Sequence, residues 1–209
     1  MRIIEIFHSL QGEGLSTGER TSFIRTARCN LRCRWCDTPY SFGPGVERSL
    51  KSILEEVKGH RTRHACLTGG EPLLQTESVE LARALGELGY TTVVETGGSL
   101  DISPYVVLPS VHVSLDVKLP SSGMEDQMRE ENWALLRPTD SVKMVLQDRT
   151  DYEAARRLLA RQSFPCPVIF QPVWGSPAGV LADWVLEDRL DVRLMLQEHK
   201  VLWGDVPGR

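Results

Sequence analysis

Cys29, Cys33 and Cys36 stand as Cys-x3-Cys-x2-Cys, and Thr68, Gly69, Gly70, Glu71 and Pro72 follow about thirty residues later. Three thiolates this close can bind three irons of a cubane [4Fe–4S] cluster and leave the fourth without a protein ligand, open to chemistry. Two other readings of the loop stand beside this one. A structural zinc site normally takes four protein ligands, so the fourth would be Asp37 or a distant histidine. A redox-active Cys-x2-Cys at Cys33 and Cys36 leaves Cys29 without a role. The glycines after a strand let backbone approach a ligand closely, and Glu71 can accept a hydrogen bond from an ammonium.

The elements that must position these residues follow from the apolar pattern. Short β-branched runs alternate with helical periodicity, the signature of successive β/α units on a mainly parallel sheet. Strand runs are expected at 3–7, 21–26, 65–68, 91–96, 112–118, 142–147, 167–172 and 192–197. Helices are expected between most of them. The clearest runs from Ser49, a candidate N-cap, to Lys58, with Leu50, Ile53, Leu54 and Val57 on one face. About six repeats are present, and an eight-unit barrel typically needs about 250 residues, so 209 residues predict an open, partial (β/α)6 barrel in a single domain, 1–209. Sites in such folds gather at the C-terminal ends of strands, where the cysteine loop, Thr68–Pro72 and Glu95–Gly98 are expected to meet.

Composition narrows the class. Net charge is −4 with 41% hydrophobic and 25% charged residues, ordinary for a globular protein and against nucleic-acid or anionic-membrane binding. No run of about 18 apolar residues exists, and the start lacks a cleavage-site pattern, so a cytoplasmic protein is expected. Five cysteines, three in one loop, do not form a disulfide framework. Cys66 and Cys166 read as core residues. The acidic stretch 125–131 and the arginines at 156, 157 and 161 read as solvated helix faces, and Asp116 with Lys118 as a possible ion pair at a strand end.

The cysteine spacing, with Trp35 just before the last cysteine, resembles the radical S-adenosylmethionine superfamily. That resemblance implies a partial barrel in which S-adenosylmethionine chelates the open iron and is cleaved to a 5′-deoxyadenosyl radical. It also implies that Trp35, Gly69, Gly70, Glu71, Thr96 and Gly97 contact the cofactor, joined by Ser114, Leu115, Asp116, Gln171, Pro172 and Val173.

Ser9–Gly14 (SLQGEG), the run from Glu19 to Thr38, Ser114–Lys118 and Leu196–Gly204 resemble, in that order, the 7-carboxy-7-deazaguanine synthase family. The implied reaction is ring contraction of 6-carboxy-5,6,7,8-tetrahydropterin with loss of ammonia and regeneration of S-adenosylmethionine. Mg2+ is implied at Thr38, whose hydroxyl suits a hard cation. Arg25 matches a carboxylate by its planar guanidinium, and Leu10, Gln11, Gly12, Glu13 and Thr68 offer polar groups to a pterin edge. His199 and the C-terminal carboxylate of Arg209 are implied near the substrate. Partners implied are the pterin, an electron donor such as flavodoxin or ferredoxin, and a second copy in a homodimer. The rivals are a glycyl-radical-enzyme activase, similar in cysteine spacing, and a zinc-stabilised binding module without catalysis.

Overall fold

A computed structural model describes residues 1–206 and 208. Its chain begins with an antiparallel pair, β1 (Arg2–Leu10) and β2 (Arg20–Thr26), in which Leu10 lies opposite Arg20. The two-residue β3 (Val46–Glu47) borders β1, and α1 (Leu50–Gly59) follows. The β/α repeat then continues through β4 (His64–Gly69), α2 (Ser78–Glu87), β5 (Thr91–Thr96), the short α3 (Ser103–Val106) and β6 (Val111–Val117). It ends with β7 (Ser141–Leu146), α4 (Arg149–Arg161), β8 (Val168–Pro172), α5 (Ala178–Glu187), β9 (Arg193–Leu194) and α6 (Glu198–Trp203).

One sheet holds all nine strands in the order β3-β1-β2-β4-β5-β6-β7-β8-β9, and every pairing from β2 onward is parallel. The ends of the sheet are two-residue strands that do not pair with each other, so the barrel stays open. Such short edges offer little template for adding another chain's strand.

The pleat divides the strand residues between two faces. Ile24, Leu67, Val94, Val113, Leu115, Met144 and Phe170 are buried in the hydrophobic core, where the helices cover the sheet. Their neighbours Phe23, Arg25, Thr68, Glu95, Ser114, Asp116, Lys143 and Gln171 line a cavity on the other face. In α1, Ser49 caps the helix by accepting from the Ser52 amide, while Ile53 and Val57 are fully buried. Burying each contributes about 1.5–3 kcal/mol.

Two expectations need revision, the extent of the last strand and the acidic stretch as a helix face. The last strand run spans only Arg193–Leu194, because Gln197 leaves the strand direction to bond Glu13 and Asp37. No α-helix joins β6 to β7; the chain crosses through 3-10 turns at Pro120–Ser122, Glu125–Gln127 and Glu130–Leu135. The acidic stretch therefore lies on turns, not on a helix face. The Leu10–Glu13 turn follows a strand that runs against the others, so it leaves β1 beside the start of β2.

Candidate active site

The cavity of about 510 Å³ runs along the inner face of the sheet and carries two chemically different ends. At one end the loop after β2 presents Cys29, Cys33 and Cys36, all free thiols and all partly exposed. Burial raises the pKa of the Cys29 and Cys33 thiols, and the nearby Lys118 ammonium opposes it. The Leu31 amide donates to the Cys29 sulfur at 3.4 Å, and the Cys36 amide donates to the Cys33 carbonyl at 3.2 Å. Three soft thiols on one wall suit an iron–sulfur cluster. Among the described residues no three His, Cys, Asp or Glu side chains form a site for a single ion. Cluster ligands each bind a separate iron, so convergence on one point is not required of them.

The strand-end glycines bring the cysteine loop and its neighbours together. A Cβ on Gly69, whose φ is 142°, would stand 2.4 Å from Thr26 backbone atoms, and one on Gly70 would stand 2.0 Å from the Arg28 carbonyl. These glycines line the cavity, and their lack of side chains also lets β4 press against the start of the cysteine loop.

Glu71 corrects an expectation. Its side chain is fully buried and outside the cavity wall, where its carboxylate accepts from Gly97 N at 2.7 Å, Thr96 Oγ1 at 2.9 Å and Leu73 N at 3.1 Å. Burial raises its pKa, against those three donors and the Lys118 charge. It therefore shapes the β5 end rather than offering itself to a ligand ammonium. Leu115 and Pro172 are also buried away from the wall; Leu115 alternates with Ser114 and Asp116 and so faces the core. Trp35, Thr96, Gly97, Ser114, Asp116, Gln171 and Val173 all line the cavity. Asp116 Oδ1 and Gln171 Oε1 are buried there without a hydrogen-bond partner among the described residues.

From Asp116 and Lys118, beside the cysteines, to Glu13 the wall is built of charge. Lys143 Nζ lies 2.7 Å from Glu13 Oε2 and 3.9 Å from Asp116 Oδ2, and Lys118 Nζ lies 2.9 Å from Asp116 Oδ2. Burial pushes Glu13 up, but the Lys143 charge and the donors Lys143 and Gln197 outweigh it and hold the carboxyl at about 2. Burial pushes Lys143 down, and Glu13, Asp116 and Glu95 overcome that, leaving it raised. Gln197 Nε2 donates to Glu13 Oε1 at 2.7 Å and to Asp37 Oδ2 at 3.0 Å, where Lys200 Nζ also donates at 3.0 Å. The N-terminal turn, the cysteine loop and α6 are thus tied into one wall. Gly12 completes the seam: a Cβ there would stand 2.1 Å from His199 Nδ1.

Arg25 lies between the two ends, with Nε donating to Glu5 Oε1 at 2.7 Å and its guanidinium 5.9 Å and 5.8 Å from the Phe7 and Tyr40 ring centres. Among the described residues its terminal nitrogens carry no hydrogen bond. Across from it, Glu95 accepts from Thr68 Oγ1 at 2.8 Å and Gln11 Nε2 at 3.2 Å. Leu10, Gln11, Gly12, Glu13, Arg25, Thr38, Thr68 and His199 all line this cavity, and Arg209 lies outside the described residues.

The family model described as the Radical SAM superfamily matches residues 23–134, which include the cysteines and the strand-end glycines. A 7-carboxy-7-deazaguanine synthase of Thermoplasma acidophilum is 38% identical over 208 residues, covering 100% of both chains. One of Koribacter versatilis is 41% identical over 222 residues, covering 97% of each. The chain belongs to the 7-carboxy-7-deazaguanine synthase family. It is an enzyme of the radical S-adenosylmethionine type. The crystal structure of QueE from Escherichia coli superposes with a TM-score of 0.76 at 25% identity, covering 95% of this chain and 94% of that one. The superfamily is as the cysteine spacing implies, the family as the segments from Ser9–Gly14 to Leu196–Gly204 imply, and the open barrel as the β/α count implies.

Several wall residues were not singled out by type and spacing. Glu95 and Lys143 had a signal: each is a charged residue inside an otherwise apolar strand run, TTVVET and SVKMVL. A buried charge of that kind needs a partner, and here the partners lie on other strands and on the N-terminal turn. Asp37 appeared only as a possible zinc ligand; in the structure it receives Gln197 and Lys200.

Proposed function

We propose that the chain, as one domain spanning residues 1–209, converts 6-carboxy-5,6,7,8-tetrahydropterin to 7-carboxy-7-deazaguanine with loss of ammonia. The observation that carries this is the full-length kinship to the synthases together with one cavity that joins the three cysteines to Arg25 and Glu13. Cys29, Cys33 and Cys36 would hold the [4Fe–4S] cluster, which when bound with S-adenosylmethionine supplies the adenosyl radical that starts the ring contraction.

The chain's residues bind, orient and shield. Gly69, Gly70, Thr96, Gly97, Ser114, Asp116, Gln171 and Val173 border the space beside the cysteines and serve as the cofactor wall. Asp116 Oδ1 and Gln171 Oε1, buried without partners among the described residues, are acceptors for the hydroxyl and amine groups a nucleoside presents. Arg25 binds the pterin carboxylate through its terminal nitrogens, already oriented by Glu5. Glu13, held anionic by Lys143, keeps lone pairs for the guanidine-like edge, and Leu10, Gln11, Gly12, Thr68 and His199 complete that end. The stacked rings of Phe7 and Phe23, 4.9 Å apart, add an apolar wall against water.

Mg2+ fits at Thr38. Among the described residues its hydroxyl meets only the Cys36 sulfur, at 3.9 Å, too long a contact to compete with a cation for the oxygen. Substrate and water would supply the other ligands. The same reading places the enzyme in a reducing cytoplasm, with flavodoxin or ferredoxin as electron donor and a homodimeric assembly. Five free thiols suit that compartment, and no described helix is long and apolar enough to cross a membrane.

The test is anaerobic incubation of reconstituted protein with reductant, S-adenosylmethionine, Mg2+ and the carboxylated pterin, followed by mass spectrometry. The expected result is the deazaguanine with one ammonia released per turnover. Cleavage of S-adenosylmethionine with the pterin recovered intact would overturn the substrate assignment.

A further inference from the structure

Asp151 lies in the first turn of α4, is fully buried, and has a carboxylate that caps nothing in its own helix. The N-cap is Asp148, which accepts from the amides of Thr150 and Asp151 at 2.9 and 3.1 Å. Asp151 instead accepts from Gln147 N at 2.8 Å, from Ser121 N at 2.8 Å and from the Ser121 hydroxyl. Having donated to a carboxylate, that hydroxyl has only lone pairs left to offer, and one accepts the indole N–H of Trp35 at 3.1 Å. The relay therefore runs from Trp35, between Cys33 and Cys36, through Ser121 to a carboxylate on a separate helix.

The segment that Asp151 anchors supports the cysteine loop at two further points. Arg34 N donates to the Ser122 carbonyl at 3.0 Å, and Arg32 N approaches the Met124 sulfur at 3.3 Å. The Trp35 ring in turn lies 5.2 Å from the Lys118 ammonium at the cavity wall. Leaving a charge buried with no ion-pair partner is costly unless its donors are fixed. Here three donors from two segments supply that fixation, and the helix N-terminus adds favourable charge.

We infer that Asp151 is a positioning residue for the cluster: acting through Ser121, it fixes the Trp35 indole and with it the Cys33–Cys36 turn. This rests on the cluster reading above. An Asn at 151 keeps one acceptor but turns an NH2 toward donors, so the Ser121 hydroxyl loses its fixed direction. Ser121→Ala removes the relay while leaving the buried carboxylate and both of its backbone donors. Ser121→Thr preserves it.

The experiment uses full-length protein, reconstituted anaerobically, and follows iron release to an iron(II) chelator under reductant, alongside iron content and the melting of the cluster-free chain. Asp151→Asn and Ser121→Ala are expected to release iron roughly tenfold faster, the lower end of what outer-shell partners of metal ligands are worth. Ser121→Thr returns the wild-type rate. Trp35→Phe gives the fast rate on its own, and adding Ser121→Ala to it changes nothing further, since both remove the same link. Ser121→Ala costs the cluster-free chain one hydrogen bond to the buried carboxylate and shifts its melting slightly, so the non-additivity with Trp35→Phe is what separates positioning from folding. Wild-type release rates in Ser121→Ala, or additive effects with Trp35→Phe, would overturn the inference while the cluster stands. A wild-type chain that assembles no cluster would instead remove the cluster reading, and this inference with it.

Discussion

The two ends of the cavity are built on opposite plans. At the cysteine end the ligands are contiguous in sequence and the loop is held by backbone amides, glycine contacts and one indole relay. At the far end the partners are scattered: Glu13, Asp37, Lys143 and the α6 pair Gln197 and Lys200 come from four separate segments and meet as ion pairs and charged hydrogen bonds. A contiguous loop can keep its donor set while its surroundings vary. An assembled wall depends on every segment arriving, so it couples substrate recognition to completion of the fold.

The largest break in that comparison comes at the cysteine end. Cys29→Ala, Cys33→Ala or Cys36→Ala should drop iron from about four per chain to background and abolish the brown colour, while far-ultraviolet circular dichroism of the cluster-free chain stays native. Full iron content in a triple variant would end the assignment. At the far end the order reverses, because stability suffers before chemistry does. Lys143→Met leaves Glu13 buried without its cation and should cost about 3–5 kcal/mol in urea unfolding of the cluster-free chain. A loss within experimental error would show that the Glu13 pair is solvent-relaxed. Gly12→Ala forces a methyl into His199 and should cost about 1–3 kcal/mol by the same measurement.

The finest distinction is in pH. Glu13 is lowered from 4.5 to about 2 in the fold, so its contribution to stability is full above 4.5 and is lost as pH falls toward 2. Subtracting the acid unfolding curve of Glu13→Gln from that of wild type should isolate a loss confined to that window. A difference that persists unchanged down to pH 2 would mean that the carboxyl is not held low.

The contrast also explains what the sequence revealed. The parallel sheet, the open barrel and Ser49 as a cap were legible because each rests on local periodicity or on a single residue type at an element boundary. The cysteine triad was legible for the same reason. Lys143 carried a signal, a charge inside the apolar run SVKMVL, but its partners were not legible, since they appear only when the β7 register places it opposite Asp116 and a turn 130 residues away delivers Glu13. Glu71 was misread in the other direction. A short motif shows which residues stand together, but not that the carboxylate turns inward to hold Thr96 and Gly97. The 3-10 crossing between β6 and β7 interrupts the β/α alternation, and it is this irregular segment that supports the cysteine loop through Ser121, Ser122 and Met124.

The division of labour between the two ends is tested most directly by Arg25→Ala, assayed anaerobically for deazaguanine with the pterin present and for uncoupled release of 5′-deoxyadenosine with the pterin left out. Removing a charge-assisted bidentate contact is worth about 1.5–3 kcal/mol, roughly 10- to 100-fold in pterin affinity. Deazaguanine formation at low pterin concentration should therefore fall by that factor while uncoupled cleavage of S-adenosylmethionine stays at the wild-type rate, because the cysteine end is untouched. Parallel loss of both products with iron content intact, or full deazaguanine formation, would contradict the account.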